Sequence, residues 1–258
     1  MSEIELKGAG VFVNGRWLVR DISARFSLGG LAIIVGPNGC GKTTLLKLMA
    51  GLREPSCGAV LLDGRNLRSF SRRELARRIA FVPQNPSVAF GFTVREIVAM
   101  GRFPHAGRFG REPGDQIKRA MHMVEVAHLA DRPATEISSG ELERVMMARA
   151  LAAQTDILLL DEPTANLDIA HGLRVMQLCS ELKRKGKMIV LASHDLNLAA
   201  QYADRLLLMQ SGRIVSEGAP DRVLADPLTW SALGVQIERA FSAAGRQALV
   251  FTRRDRDI

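Results

Sequence analysis

Short apolar runs rich in β-branched residues recur along the chain, separated by longer stretches of helical character. Leu31–Val35, Ile79–Val82, Ile157–Leu160 and Met188–Ala192 are apolar at consecutive rather than alternate positions. A strand apolar on both sides is covered on both faces, so these runs predict central strands of a sheet packed between other layers. Strands alternating with helical stretches imply an α/β fold with a mostly parallel sheet. Ser71-Arg-Arg-Glu74 has the spacing of a capping box and opens a short helix with Leu75 and Ile79 on its apolar side. From Pro86 to about Asp131 the pattern changes. Gly101, Pro104, Gly107, Gly110 and Pro113 lead into helical stretches around Asp115–Leu129, which read as a helical lobe inserted into the α/β core. Beyond Gly218 the chain reads as a small appendage.

A chain of 258 residues suits one large domain, or a domain with a lobe. With 47% hydrophobic and 24% charged residues it is too apolar for disorder. No apolar run approaches the ~18 residues of a membrane span, and the opening MSEIELKG has no apolar signal core. Cys40, Cys57 and Cys179 are widely spaced and odd in number, which argues against a disulfide framework or a zinc site. An internal soluble protein is expected. The net charge of +8 is scattered through Arg72–Arg78, Lys183–Lys187 and Arg253–Asp257, with acids interrupting it. Aromatic residues make up only 5%, so no nucleic-acid partner is expected. The excess reads as a solvated basic surface or, more weakly, as attraction to anionic lipid.

Candidate chemistry is concentrated at Gly36-Pro37-Asn38-Gly39-Cys40-Gly41-Lys42-Thr43, which fits G-x-x-x-x-G-K-[ST] between a strand and the helical run Thr44–Ala50. Glycines let the backbone curl so that its N–H groups face a phosphate, and the helix start at Thr43 and Thr44 adds open donors and a dipole. Lys42 then reaches the β/γ-phosphates and the Thr43 hydroxyl ligates Mg²⁺. Cys40 reads either as a small packed residue or, near a helix N-terminus, as a reactive thiol of lowered pKa. Asp161 and Glu162 end a buried strand at the carboxyl edge of the sheet, where α/β proteins bind ligands. Asp161 would steady Mg²⁺ and Glu162 would take a proton from an attacking water.

With these motifs in order, the sequence resembles an ATP-binding-cassette ATPase over Gly10 to about Leu224. The resemblance implies a P-loop NTPase (RecA-like) α/β core with a mixed, mostly parallel sheet, an amino-terminal antiparallel β region and an inserted helical lobe. It implies one domain over residues 1–258: nucleotide-binding core at 1–85 and 149–218, lobe with signature motif at 86–148, and appendage at 219–258. Phe81-Val82-Pro83-Gln84 resembles the Q-loop, whose glutamine touches Mg²⁺. Ile137-Ser138-Ser139-Gly140-Glu141 resembles the signature that completes the site of a facing subunit. Ala165-Asn166-Leu167-Asp168 resembles the D-loop between subunits, and Ser193-His194-Asp195 the switch whose histidine contacts the γ-phosphate. Ser138, Ser139 and Gly140 at a helix start offer a hydroxyl, N–H donors and a dipole to an anion. A phosphate held between two such sites makes ATP the glue of a two-fold dimer. His105, His122, His128 and His171 are given no role.

Two positions depart from the family pattern. Ser139 stands where the signature usually has glycine, and it reads as tolerated. Val13 stands where an aromatic usually stacks on adenine, and of Phe12 and Trp17 nearby either serves if the loop is shifted, or both belong to the core.

A lone cassette implies two separate membrane permease subunits, a substrate-binding protein acting through them, and a peripheral place on the cytoplasmic face of the plasma membrane. The pattern is most similar to importer cassettes for metal chelates: iron–siderophores, haem and cobalamin. The stretches carrying it are Gly101–His105, Asp161–His171 and Ser193–Ala200. Importers of zinc, manganese or molybdate share much of it. A soluble cassette without a transporter, or an interaction protein with dead nucleotide chemistry, are the rivals, and intact Lys42, Asp161, Glu162 and His194 speak against the latter.

Overall fold

The computed structural model describes residues 2–88, 90–105, 114–241 and 247–253. Gly107, Gly110, Pro113 and the basic tail past Arg253 lie outside the described residues.

The chain opens with a hairpin, β1 (Glu3–Val13) and β2 (Arg16–Ser27), turned by Asn14 and Gly15, both at positive φ as a tight two-residue hairpin turn requires. Then come β3 (Leu31–Val35), α1 (Lys42–Met49), β4 (Cys57–Leu62), β5 (Arg65–Asn66), α2 (Arg72–Arg78) and β6 (Ile79–Val82). Next are α3 (Val94–Met100), α4 (Gly114–Met123) and α5 (Ser139–Ala152). The chain returns through β7 (Ile157–Asp161), α6 (Ile169–Arg184), β8 (Met188–Ala192), α7 (Leu196–Tyr202), β9 (Arg205–Gln210) and β10 (Arg213–Gly218). It ends in α8 (Pro220–Ala225), α9 (Pro227–Leu233) and the hairpin β11 (Val235–Phe241) and β12 (Gln247–Arg253).

The central sheet has the order β10-β9-β3-β8-β7-β6, parallel throughout except for antiparallel β10. A second, antiparallel sheet runs β2-β1-β4-β5. Period-two alternation sorts the side chains of the central sheet onto two cores. Leu31, Ile33, Val35, Leu158, Leu160 and Leu191 face α3, α4, α5 and α6. Ala32, Ile34, Leu159 and Val190 face α1 and the antiparallel sheet. The sheet is thus covered on both sides, which is why its strands read as unbroken apolar runs. Val223 and Leu224 of α8, Ile237 and Leu249 belong to the same buried cluster as α3–α6.

One expectation needs correction. Ile79–Val82 forms β6, an edge strand paired only with β7 rather than a central one. Its apolar character comes from cover on both faces, with Ile79 in one core and Ala80 and Val82 in the other. The helical stretches expected around Asp115–Leu129 are α4, which ends at Met123, and a short 3-10 turn at Ala127–Leu129, parted where Glu125 takes φ 59. β9, Arg-Leu-Leu-Leu-Met-Gln, is a central strand that the sequence pattern did not single out. Leucine and methionine favour helices, and here burial between β3 and β10 overrides that preference. The expected capping box is present: the Ser71 hydroxyl accepts from Glu74 N–H while the Glu74 carboxylate accepts from Ser71 N–H at 2.7 Å.

Candidate nucleotide site

The loop from Gly36 to Gly41 lies at the carboxyl end of β3, cradled by the β9–β10 turn. A Cβ on Gly36 would stand 2.2 Å from the Met209 carbonyl oxygen, and one on Gly41 2.6 Å from that of Leu18. Both also have positive φ, 151° and 110°, so no side chain fits at either position. The Gly212 N–H donates to the Cys40 carbonyl at 3.0 Å and fixes the loop from below. No side chain caps α1, whose N-cap is Gly41, so its first N–H groups stay open toward the cleft. The helix starts at Lys42, slightly before the expected run.

Lys42 is 5% exposed, donates from Nζ to the Gly36 carbonyl at 2.9 Å and to that of Pro37 at 3.4 Å, and lies 3.6 Å from Glu162 Oε1. The Thr43 hydroxyl donates to Asp161 Oδ1 at 3.1 Å. Asp161 is buried, and desolvation pushes its carboxyl up against the opposing pull of the Thr43 bond. Glu162 adopts φ 50°, a left-handed conformation held by its N–H donating to the Ala192 carbonyl at 3.1 Å. That turn aims the carboxylate back over the loop. Its Oε2 accepts from Gln84 Nε2 at 2.9 Å and lies 3.2 Å from His194 Nδ1. Lys42, Gln84 and His194 therefore converge on one carboxylate from the loop, from the end of β6 and from the end of β8.

These groups line a cleft of about 740 Å³ together with Asn38, Gly39, Gly41, Thr43, Thr44, Ala165, Arg16 and Leu18. Cys40 faces away from it. The residue is buried, its Sγ occupies the space beside Gly36, and burial pushes its thiol up, so the reactive reading is corrected in favour of packing. Neither aromatic candidate for adenine lines the cleft. Phe12 and Trp17 pack on each other with ring centroids 5.1 Å apart, Arg20 lies over Trp17, and Val13 packs on the core. Arg16 and Leu18, which the sequence reading passed over, lie there instead. Their signal was the Asn14-Gly15 turn, which starts β2 and puts residues 16 and 18 on one face.

Ser138, Ser139, Gly140, Glu141 and Asp168 stand apart from this cleft. Ser138 caps α5: its hydroxyl accepts from Glu141 N–H at 3.3 Å and donates to Glu141 Oε2 at 2.7 Å. The Ser138 N–H and hydroxyl together hold the Glu141 carboxyl below its usual range. Ser138 and Ser139 are exposed at the tip of the helix. Asp168 caps α6, accepting from His171 N–H at 2.9 Å and pairing with that imidazole. His171 thus has a structural partner, as does His105, whose Nε2 lies 2.9 Å from the Ala153 carbonyl at the end of α5. Among the described residues no cluster of three or more His, Cys, Asp or Glu is placed to hold a metal ion, and no helix is long and apolar enough to cross a membrane.

A family model described as ABC transporter matches residues 19–165. The hemin import ATP-binding protein HmuV of Rhodococcus jostii is 40% identical over 98% of this chain and 87% of its own length. The cobalamin import ATP-binding protein BtuD of Halobacterium salinarum is 44% identical over 86% of this chain, which spans 56% of that protein's length. A bacterial ABC transporter cassette solved as a dimer superposes with a TM-score of 0.77 at 28% identity, over 84% of this chain and 98% of the other. The span matched by the family model includes the loop and the acidic strand end, and this chain belongs to the ABC transporter family.

Proposed function

We propose that this chain is the ATP-binding and ATP-hydrolysing subunit of an importer for a metal chelate of the iron–siderophore, haem or cobalamin class. The observation that carries the reading is the convergence of Lys42, Gln84 and His194 on Glu162 at the end of a phosphate-sized loop. In this reading Gly36 to Thr44 enclose the phosphates with backbone N–H groups, and Lys42 leaves Gly36 to meet the β/γ-phosphates. Glu162 orients a water and accepts its proton, while His194 moves from that carboxylate to the γ-phosphate.

Thr43 and Gln84 line the cleft and Asp161 is bonded to the Thr43 hydroxyl, and the oxygen donors of these three side chains would fit Mg²⁺, which uses few protein ligands beside phosphate and water. The buried Asp161, whose carboxyl is held up by desolvation, gains from a cation beside it. Bound Mg²⁺ supplies charge neutralisation on the transferred phosphoryl group.

Ser138 and Ser139 are exposed and stand outside the lining of their own cleft, which supports a dimer in which each signature closes on the partner's ATP, with Asp168 near the two-fold axis. The dimeric cassette of similar fold and the names of the import relatives support the same arrangement and the substrate class. Two permease subunits and a substrate-binding protein complete the importer, with this chain on the cytoplasmic face of the membrane. The segment Val94–His105, which carries exposed Phe103, is the proposed grip on the permease. Purification from native membranes is expected to recover two permease subunits, and release of that chelate class from vesicles should follow ATP. Recovery of soluble partners alone would overturn the transporter reading.

A further inference from the structure

Three polar side chains from three separate elements meet behind the cleft. Asn166, in the loop between β7 and α6, donates from Nδ2 to Asn85 Oδ1 at 3.0 Å and to Glu143 Oε1. Asn85 follows Gln84 directly, and Glu143 lies in α5, the helix that Ser138 caps. None of the three lines the nucleotide cleft. Glu143 is 8% exposed, and its second oxygen, Oε2, is buried with no hydrogen-bond partner among the described residues. A buried carboxyl with one empty oxygen is a net cost to the fold that a leucine in its place would not incur. Burial also pushes the carboxyl up, against the pull of the Asn166 amide. Stability alone does not account for a glutamate there.

The same face of α5 holds Asn166 a second time. Residues 140 and 143 are one turn apart, and a Cβ on Gly140 would stand 3.2 Å from the Asn166 carbonyl oxygen and 3.4 Å from the Leu167 side chain. The loop is therefore pressed onto α5 at its backbone and pinned there by its side chain. Its other end is Glu162, whose carbonyl accepts from Ala165 N–H at 3.2 Å, next to Asn166. Gln84 to Glu162 and Asn85 to Asn166 are adjacent rungs between the same two segments. A shift at the start of α5 has a short, hydrogen-bonded route to the carboxylate in the cleft.

We propose that Glu143 is a positioning residue for ATP hydrolysis: through Asn166 it ties the signature helix to the loop bearing Glu162. Engagement of Ser138 and Ser139 with one nucleotide is thereby relayed to the carboxylate that faces the other. The inference rests on the ATPase reading above.

Steady-state hydrolysis of Mg-ATP by the purified chain tests it. Glu143→Ala and Asn166→Ala each lower kcat about ten- to hundredfold, the scale of a slightly misplaced reacting group, while KM and ATP affinity stay within about twofold. The double variant is no slower than the slower single one, because both remove one strap. Glu143→Gln keeps an acceptor for Asn166 and retains most of the rate. Asn166 is exposed, so Asn166→Ala tests the strap even where Glu143→Ala does not fold. An unchanged kcat in Asn166→Ala, additive losses in the double variant, or Glu143→Gln as slow as Glu143→Ala overturns the proposal. Glu162→Gln run alongside separates the two failures. Absence of hydrolysis by the wild-type chain removes the ATPase reading and wild-type turnover in Glu162→Gln removes the role of Glu162, whereas a nearly inactive Glu162→Gln with a wild-type Asn166→Ala removes the strap alone.

Discussion

Gln84 donates its side-chain amide to the carboxylate of Glu162 at 2.9 Å, joining residues 78 positions apart in sequence. The bond links the end of the edge strand β6 to the end of β7, so the segment leading into α3 and the proposed catalytic carboxylate share one contact. Anything that pulls on the segment after Gln84 acts on Glu162 directly.

Glu162→Gln keeps the shape of that contact and removes the proposed proton acceptor. ATP binding is expected to persist while turnover falls about 10²- to 10⁴-fold, the usual worth of a general base. Mg-ATP should then trap a dimer on gel filtration. Turnover near wild type would contradict the assignment.

Lys42→Ala removes the charge-assisted contact to phosphate proposed for this side chain, worth about 1.5–3 kcal/mol, so ATP affinity is expected to fall roughly ten- to hundredfold. Calorimetric titration reads this directly, and an unchanged Kd would rule out phosphate contact by Lys42. The apo fold should survive, because the loop is also held by Gly212 and by the packing of Gly36 on Met209.

Arg16 lies in the cleft and Phe12 and Trp17 do not. A guanidinium stacked on a base is worth about 0.5–2 kcal/mol, so Arg16→Ala should weaken ATP binding several-fold. Phe12→Ala should leave it unchanged. The reverse pattern would return the base to the aromatic pair.

Asp161 has its folded-state carboxyl raised, chiefly by burial, so the folded protein holds that proton more tightly than the unfolded chain. The stability this gives is complete at low pH and is lost as pH rises through the raised pKa. The ionised form is thus a net cost to the fold when no cation is bound. Asp161→Asn keeps an acceptor for Thr43 and removes the charge. Its apo melting temperature should rise by a few degrees while Mg²⁺-dependent hydrolysis is lost. A fall in Tm would show that the charge stabilises the fold.

The strands with unbroken apolar runs and the phosphate loop were legible because each depends on local pattern: burial on both faces in one case, glycines at fixed spacing in the other. β9 was not, since its leucines carry no β signature and only the neighbours β3 and β10 make it a strand. The sequence left the role of Phe12 and Trp17 open for a related reason. Residue type marked them as base-stacking candidates, while the strand register decided which side chains reach the cleft. The Glu143–Asn166 contact was invisible as well, because it joins residues 23 apart through a loop whose path no local signal sets.

Ser139 is the position where the proposed dimer mechanism is most exposed to refutation. It is the first residue of α5, exposed, and its side chain points away from its own cleft's lining. The cap of α5 comes from Ser138 and Glu141, so Ser139→Gly is expected to leave folding and ATP affinity nearly unchanged. Any effect should appear only in hydrolysis that depends on dimer closure, where a partner's phosphate comes against that backbone. Ser139→Arg puts a long side chain into the same gap and should block closure and hydrolysis while the monomer still binds ATP through Lys42. Sedimentation with and without Mg-ATP must accompany the assay, since a rate linear in protein concentration fits both a permanent dimer and a monomeric engine. If Ser139→Arg hydrolyses ATP at the wild-type rate while sedimenting as a monomer, each cleft works alone and the shared-site mechanism is wrong for this protein.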